Sequence, residues 1–163
     1  MTVHRFHQPF PEIWFDGVDA MLADARSRLD RVPPRAAYRE LLARQAVLVD
    51  IRPEAQRTAE GEVHSVVHPL VVERNVLEWR FDPRSSARVE QASYNARVIV
   101  LCQEGYTSSL AADALVRLGV RRATDVVGGF AAWREAGLPV AERPVLASTP
   151  READLAVIPS ARA

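Results

Sequence analysis

The chain has 163 residues, 48% of them hydrophobic and 26% charged, which fits one ordinary domain built on a single core. Lys+Arg and Asp+Glu both number 21, so the formal net charge is zero and no long-range attraction to a nucleic-acid backbone is expected. The basic residues are all arginine, interleaved with acids rather than clustered, and a lone cysteine excludes an intramolecular disulfide.

Residues 1–15, MTVHRFHQPFPEIWF, mix histidine, proline and bulky aromatics without a period. They are expected to form an irregular arm that docks through Phe10, Ile13, Trp14 and Phe15. The segment has no basic stretch followed by a long apolar one, and the longest apolar runs fall far short of the ~20 residues of a membrane span. A cytoplasmic location with no membrane partner is the expectation. Val18, Met21, Leu22, Ala25 and Leu29 recur at helical spacing and predict an amphipathic helix, capped by Asp16 and ending near Arg31. Pro34 suits the first turn of a second short helix carrying Ala37, Leu41 and Leu42.

VLVDI (47–51) is a compact β-branched run that predicts a buried parallel strand. Pro53 ends it and opens a short helix stopped at Gly61. VHSVVHPLVV (63–72) reads as further strand, VLEWRFDP (76–83) as one helical turn, and residues 84–95 as loop with some helix. RVIVLC (97–102) is the clearest strand, followed by a helix through Leu110, Leu115, Val116 and Leu118 that ends at Gly119. ATDVV (123–127) predicts another strand, Gly128-Gly129 a tight turn, and FAAWREAG a short helix closed by Gly137, with Trp133 packing in the core. The Ala/Pro/Arg/Glu-rich tail, 141–163, is expected to be extended or mobile. This alternation predicts a parallel sheet with helices on both faces, with ligands bound beyond the carboxyl ends of the strands.

Cys102 stands at one of those ends, between strand and helix, with Gly105 three residues on. Backbone N–H groups and a helix N-terminus around a thiol favour its charged form and bind anions. The bland reading of the same residue is a small buried hydrophobe. A cysteine phosphatase would have this architecture too, but its Cys-x5-Arg loop grips phosphate with an arginine, and that position is Ser108. His64 and His68 lie in a strand-like context and His4 and His7 in the arm, and no second cysteine or nearby acid cluster completes a metal site with either pair.

LVDIRPEAQ (48–56), VIVLCQEGYTSS (98–109) and ATDVVGGFAAWREAGLPV (123–140) occur in the order and spacing of one rhodanese domain, and the chain resembles a small actinobacterial-type sulfurtransferase over residues 32–140. That resemblance implies a rhodanese-like α/β fold with a five-stranded, mainly parallel sheet. Residues 1–31 would then be an arm and helix packed on the domain. It implies that Cys102 is the nucleophile and carries a persulfide, without cofactor or metal. The loop residues Gln103, Glu104, Gly105, Tyr106, Thr107 and Ser108, with Arg52, would contact the substrate, and Asp50 would support them. Tyr106 would line the pocket mouth, and Ser109 would cap the following helix. The implied partners are a small sulfur donor, persulfide or thiosulfate, and a thiol or cyanide acceptor, with the protein a monomer or weak homodimer.

Two departures stand out. Gln103 and Glu104 follow the cysteine where thiosulfate-preferring members often carry basic residues, so a persulfide is the expected donor. VHSVVHP (63–69) replaces the family's hydrophobic-Pro-Gly-Ala sequence. The alternative function is a non-catalytic rhodanese-like module that senses persulfides or docks a partner.

Overall fold

The computed structural model describes residues 14–141. Ten elements follow in chain order: α1 (Gly17–Ser27), α2 (Pro34–Leu42), β1 (Val47–Asp50), α3 (Glu54–Glu60), β2 (Leu70–Val71), α4 (Leu77–Phe81), β3 (Val98–Leu101), α5 (Thr107–Leu118), β4 (Thr124–Asp125) and α6 (Gly129–Glu135). The strands form one sheet in the order β2-β1-β3-β4, every pair parallel.

Alternation along the two central strands builds both halves of the core. Val49 and Ile51 from the β1 segment, with Val98 and Val100 of β3, face α4 and α5 and pack with Leu77, Phe81, Ala112 and Leu115. Leu48, Ile99 and Leu101 point the other way, to α2 and α6, where they meet Ala37, Leu41, Phe130 and Trp133. Trp133 is wholly buried, stands edge-on to Tyr38, and donates its indole N–H to the Pro139 carbonyl at 3.0 Å. On the outer side, α1 lies against α5 through buried Leu22 and Ala25. Arg28, just past its end, grips the buried Asp113 of α5 at 2.6 Å.

Several of these expectations are corrected. The fifth strand is reduced to a bridge between Val32 and Val126, because Pro33 lacks an N–H and leads straight into α2. The 63–72 run is not continuous strand. His64 accepts the Val66 N–H on Nδ1, residues 65–67 form a 3-10 turn and His68 is left-handed, leaving two residues for β2. Asp16 precedes α1, but its carboxylate accepts none of the helix N–H groups, and α1 ends at Ser27 rather than near Arg31. Trp14 does not dock: it is 83% exposed. Residues 84–95 form turns without helix. The expected docking of Phe10 and Ile13, the His4–His7 pair and the tail from 142 onward lie outside the described residues. No helix among the described residues is long and apolar enough to cross a membrane.

Connections leave β1 toward β2 on one side and β3 toward β4 on the other. The crevice where they diverge, beyond the carboxyl ends of β1 and β3, is the topological switch point at which such sheets bind ligands.

Candidate active site

The segments after β1 and β3 meet at that crevice. β3 delivers Cys102, 8% exposed, into a loop that wraps its sulfur. The Gly105 N–H donates to Sγ at 3.2 Å and the Ser108 N–H at 3.3 Å. Of the loop amides that could converge on the sulfur, these two reach it. The Ser108 hydroxyl lies 3.2 Å from Sγ and donates to Asp125 Oδ2 at 2.9 Å, so in the thiol form the S–H donates to Ser108. Backbone donors converging on one sulfur form a nest suited to an anionic sulfur species.

Two glycines permit this wrap. Gly105 sits at φ 78°, and a Cβ there would lie 2.7 Å from the Gly128 nitrogen. Gly129 sits at φ 60°, where a Cβ would run into the Cys102 and Gln103 carbonyls. That close approach lets the first turn of α6 hold the loop from behind. Phe130 N–H donates to the Cys102 carbonyl at 2.8 Å and Ala131 N–H to the Gln103 carbonyl at 2.9 Å.

Arg52 is 1% exposed, and its guanidinium lies 4.1 Å from the centre of the Phe130 ring. It forks onto Asp50, with its Nη2 2.7 Å from Oδ2, and reaches Glu60, the Gly61 carbonyl and the Gln103 Oε1. Asp50 also accepts the Arg52 backbone N–H at 3.0 Å. With every N–H of the guanidinium engaged, Arg52 meets the loop through Gln103 and has no donor left for a substrate. Glu104 and Thr107 are exposed on the loop, and Tyr106, 55% exposed, stands at its mouth.

A second network lies under the loop, and sequence reasoning missed it. Asp125, wholly buried at the end of β4, accepts from Ser108 and Ser109 hydroxyls, each at 2.9 Å. It pairs with Arg31, whose Nε and Nη2 lie 2.7 and 3.0 Å from its two oxygens. Ser109 is therefore a buried donor rather than a helix cap. Arg31 and Arg26 each donate Nη2 to the Gly105 carbonyl, at 3.0 and 2.8 Å, and Arg26 Nε donates to Ser109 at 3.1 Å. One sequence signal was available: a carboxylate in the otherwise strand-like ATDVV run. The arginines had none. Among the described residues no group of three or more His, Cys, Asp or Glu is placed to hold a metal.

The rhodanese-like domain family matches residues 34–136. The thiosulfate sulfurtransferase GlpE of Vibrio cholerae is 32% identical over 106 residues, 64% of this chain and 88% of that protein. Its namesake in Actinobacillus pleuropneumoniae is 30% identical over 109 residues, covering 67% and 90%. Among solved structures, a Rhodopseudomonas palustris protein of unknown function, named a possible tyrosine phosphatase, superposes with TM-score 0.70 at 27% identity, covering 81% of this chain and 99% of that one. The polysulfide-sulfur transferase homodimer of Wolinella succinogenes shares the fold, with TM-score 0.64 at 23% identity over 79% and 90% of the two chains. Both solved structures share the fold of this chain, a parallel α/β sheet flanked by helices.

Proposed function

Because the chain belongs to the rhodanese-like domain family, we propose that it is a sulfurtransferase in which Cys102 carries the sulfur between donor and acceptor. The observation that carries this reading is the Cys102 sulfur held by two backbone N–H groups at the switch point of the sheet. Deprotonated Sγ attacks the outer sulfur of a donor RSS⁻. An S–S bond forms at Cys102, the donor's S–S bond breaks, and RS⁻ leaves with the electron pair. An acceptor thiolate or cyanide then attacks the outer sulfur of the Cys102 persulfide and returns Sγ to its thiolate. With one cysteine in the chain, the acceptor must be external.

Sulfur fits this loop better than phosphate. A phosphatase arginine would occupy position 108, but Ser108 fills it and donates to Asp125, so the loop holds no guanidinium to grip a phosphate dianion bidentately. The same reasoning favours a persulfide over thiosulfate. Glu104 stands exposed on the loop, and the loop contributes no cation. Steady-state kinetics with both donors tests the donor. A persulfide is expected to give the higher kcat/KM, and Glu104→Arg to lower the KM for thiosulfate about five- to tenfold. Tight thiosulfate binding by the unaltered protein would contradict the donor assignment.

A further inference from the structure

The Gly105 carbonyl is held from outside the loop. It accepts from Arg26 Nη2 at 2.8 Å, from Arg31 Nη2 at 3.0 Å and from the Ser109 hydroxyl at 3.2 Å. Arg26 belongs to α1 and Arg31 to the turn before α2, both ahead of the segment, 34–136, that the family shares. Arg26 does more than bond the carbonyl. Its guanidinium lies 5.6 Å from the centre of the Tyr106 ring, and its Nε donates to Ser109, which in turn donates to Asp125. One side chain therefore ties together the peptide after Gly105, the aromatic at the pocket mouth and the carboxylate that fixes the Ser108 hydroxyl.

The consequence follows from peptide geometry. The Gly105–Tyr106 peptide is trans, so pinning its carbonyl toward the arginines turns the Tyr106 N–H the opposite way. Gly105, the glycine at φ 78°, is the flexible joint between that peptide and the N–H that reaches Sγ. Without the outside grip this joint has the freedom to turn the Gly105 N–H off the sulfur. We propose that Arg26 is a positioning residue for sulfur transfer, recruited from an element outside the shared domain, which locks the Gly105 joint and seats Tyr106 at the entrance. The proposal rests on the sulfurtransferase reading for its catalytic consequence, while the loop geometry it describes is testable without it.

The test compares Arg26→Gln and Arg26→Lys with Arg28→Gln in the full chain. Arg28 lies just past the end of the same helix and holds it to α5 through Asp113, without touching the loop. Two readouts are taken: the single-turnover rate of persulfide formation from a small persulfide donor, and the rate of Cys102 alkylation by iodoacetamide. Arg26→Gln is expected to load sulfur about tenfold more slowly, the scale of a displaced reacting group. It should also shift the alkylation rate at least about threefold, with Arg28→Gln near the unaltered protein in both. Arg26→Lys should recover little, because an ammonium cannot bridge carbonyl and hydroxyl while covering the Tyr106 ring. Equal losses in Arg26→Gln and Arg28→Gln would assign the effect to helix docking and overturn the proposal, as would an Arg26→Gln protein that matches the unaltered one in both assays. If the unaltered protein forms no persulfide, the sulfurtransferase reading fails, and the alkylation rates alone decide the positioning role.

Discussion

Replacing Asp125 by alanine removes the hub beneath the sulfur loop. The carboxylate is fully buried and accepts four hydrogen bonds, from Arg31 Nε and Nη2 and the hydroxyls of Ser108 and Ser109. The Arg31 side chain is 18% exposed, so its charge would be left in a largely dry site without a counter-ion. Breaking a buried pair in this way costs about 3–5 kcal/mol. The hydroxyls add little, since Ser109 already shares its hydrogen with the Gly105 carbonyl. For a domain of this size the loss corresponds to a fall in Tm of roughly 6–20 °C. Urea unfolding followed by tryptophan fluorescence measures it, with the slope checked for constancy. The double variant Asp125→Ala/Arg31→Met should regain part of the loss, with a coupling of about 1–3 kcal/mol. A single-variant loss below about 1 kcal/mol, or strict additivity in the double variant, would refute the claim that this pair holds the base of the site.

Gly105→Ala must place a side chain at φ 78° and against the Gly128 nitrogen, at a cost of about 1–3 kcal/mol in stability. It should also slow persulfide formation at Cys102 at least about tenfold, and a rate equal to that of the unaltered protein in single-turnover assays contradicts the cradle. Arg52→Lys keeps the charge but loses the fork that joins Asp50, Glu60, Gly61 and Gln103; urea unfolding should show that it retains less than half of the stability lost in Arg52→Met. Equal stability of Arg52→Lys and the unaltered protein would remove the structural role assigned to that fork. On the exposed side of α1, the Arg28 hydrogen bond at 2.7 Å lowers the Asp24 carboxyl below the usual carboxylate range. A depressed carboxyl contributes stability above its unfolded value and loses it as pH falls through its folded value, so acid should weaken this link. NMR titration should find the Asp24 midpoint raised in Arg28→Gln, and an unchanged midpoint would contradict the assignment.

The sulfur side of the site was legible because it is local. β3 is an unbroken apolar run, Gly105 and the helix after it follow within a few residues, and the short range of those signals is what sequence patterns record. The supporting side was not legible because it is assembled across the chain: Arg31 and Asp125 are separated by 94 positions, and Arg26 and Gly105 by 79. In the sequence, neither arginine stands apart from the others, which are interleaved with acids throughout the chain. The 63–72 segment misled for a different reason. Its valines have strand propensity, but His64 Nδ1 closes a turn by accepting the Val66 N–H two residues on, and Pro69 offers no donor, so local hydrogen bonding overrides the pattern. The family's fifth strand failed at one residue, where Val32 pairs with Val126 and Pro33 stops the ladder.

Intact-protein mass spectrometry after exposure to a small persulfide donor shows whether Cys102 carries sulfur. The expected result is a gain of about 32 Da, one sulfur, that maps to Cys102, disappears on adding an acceptor thiol and is absent from Cys102→Ser. Folded protein that gains no sulfur from persulfide, polysulfide or thiosulfate donors would contradict it.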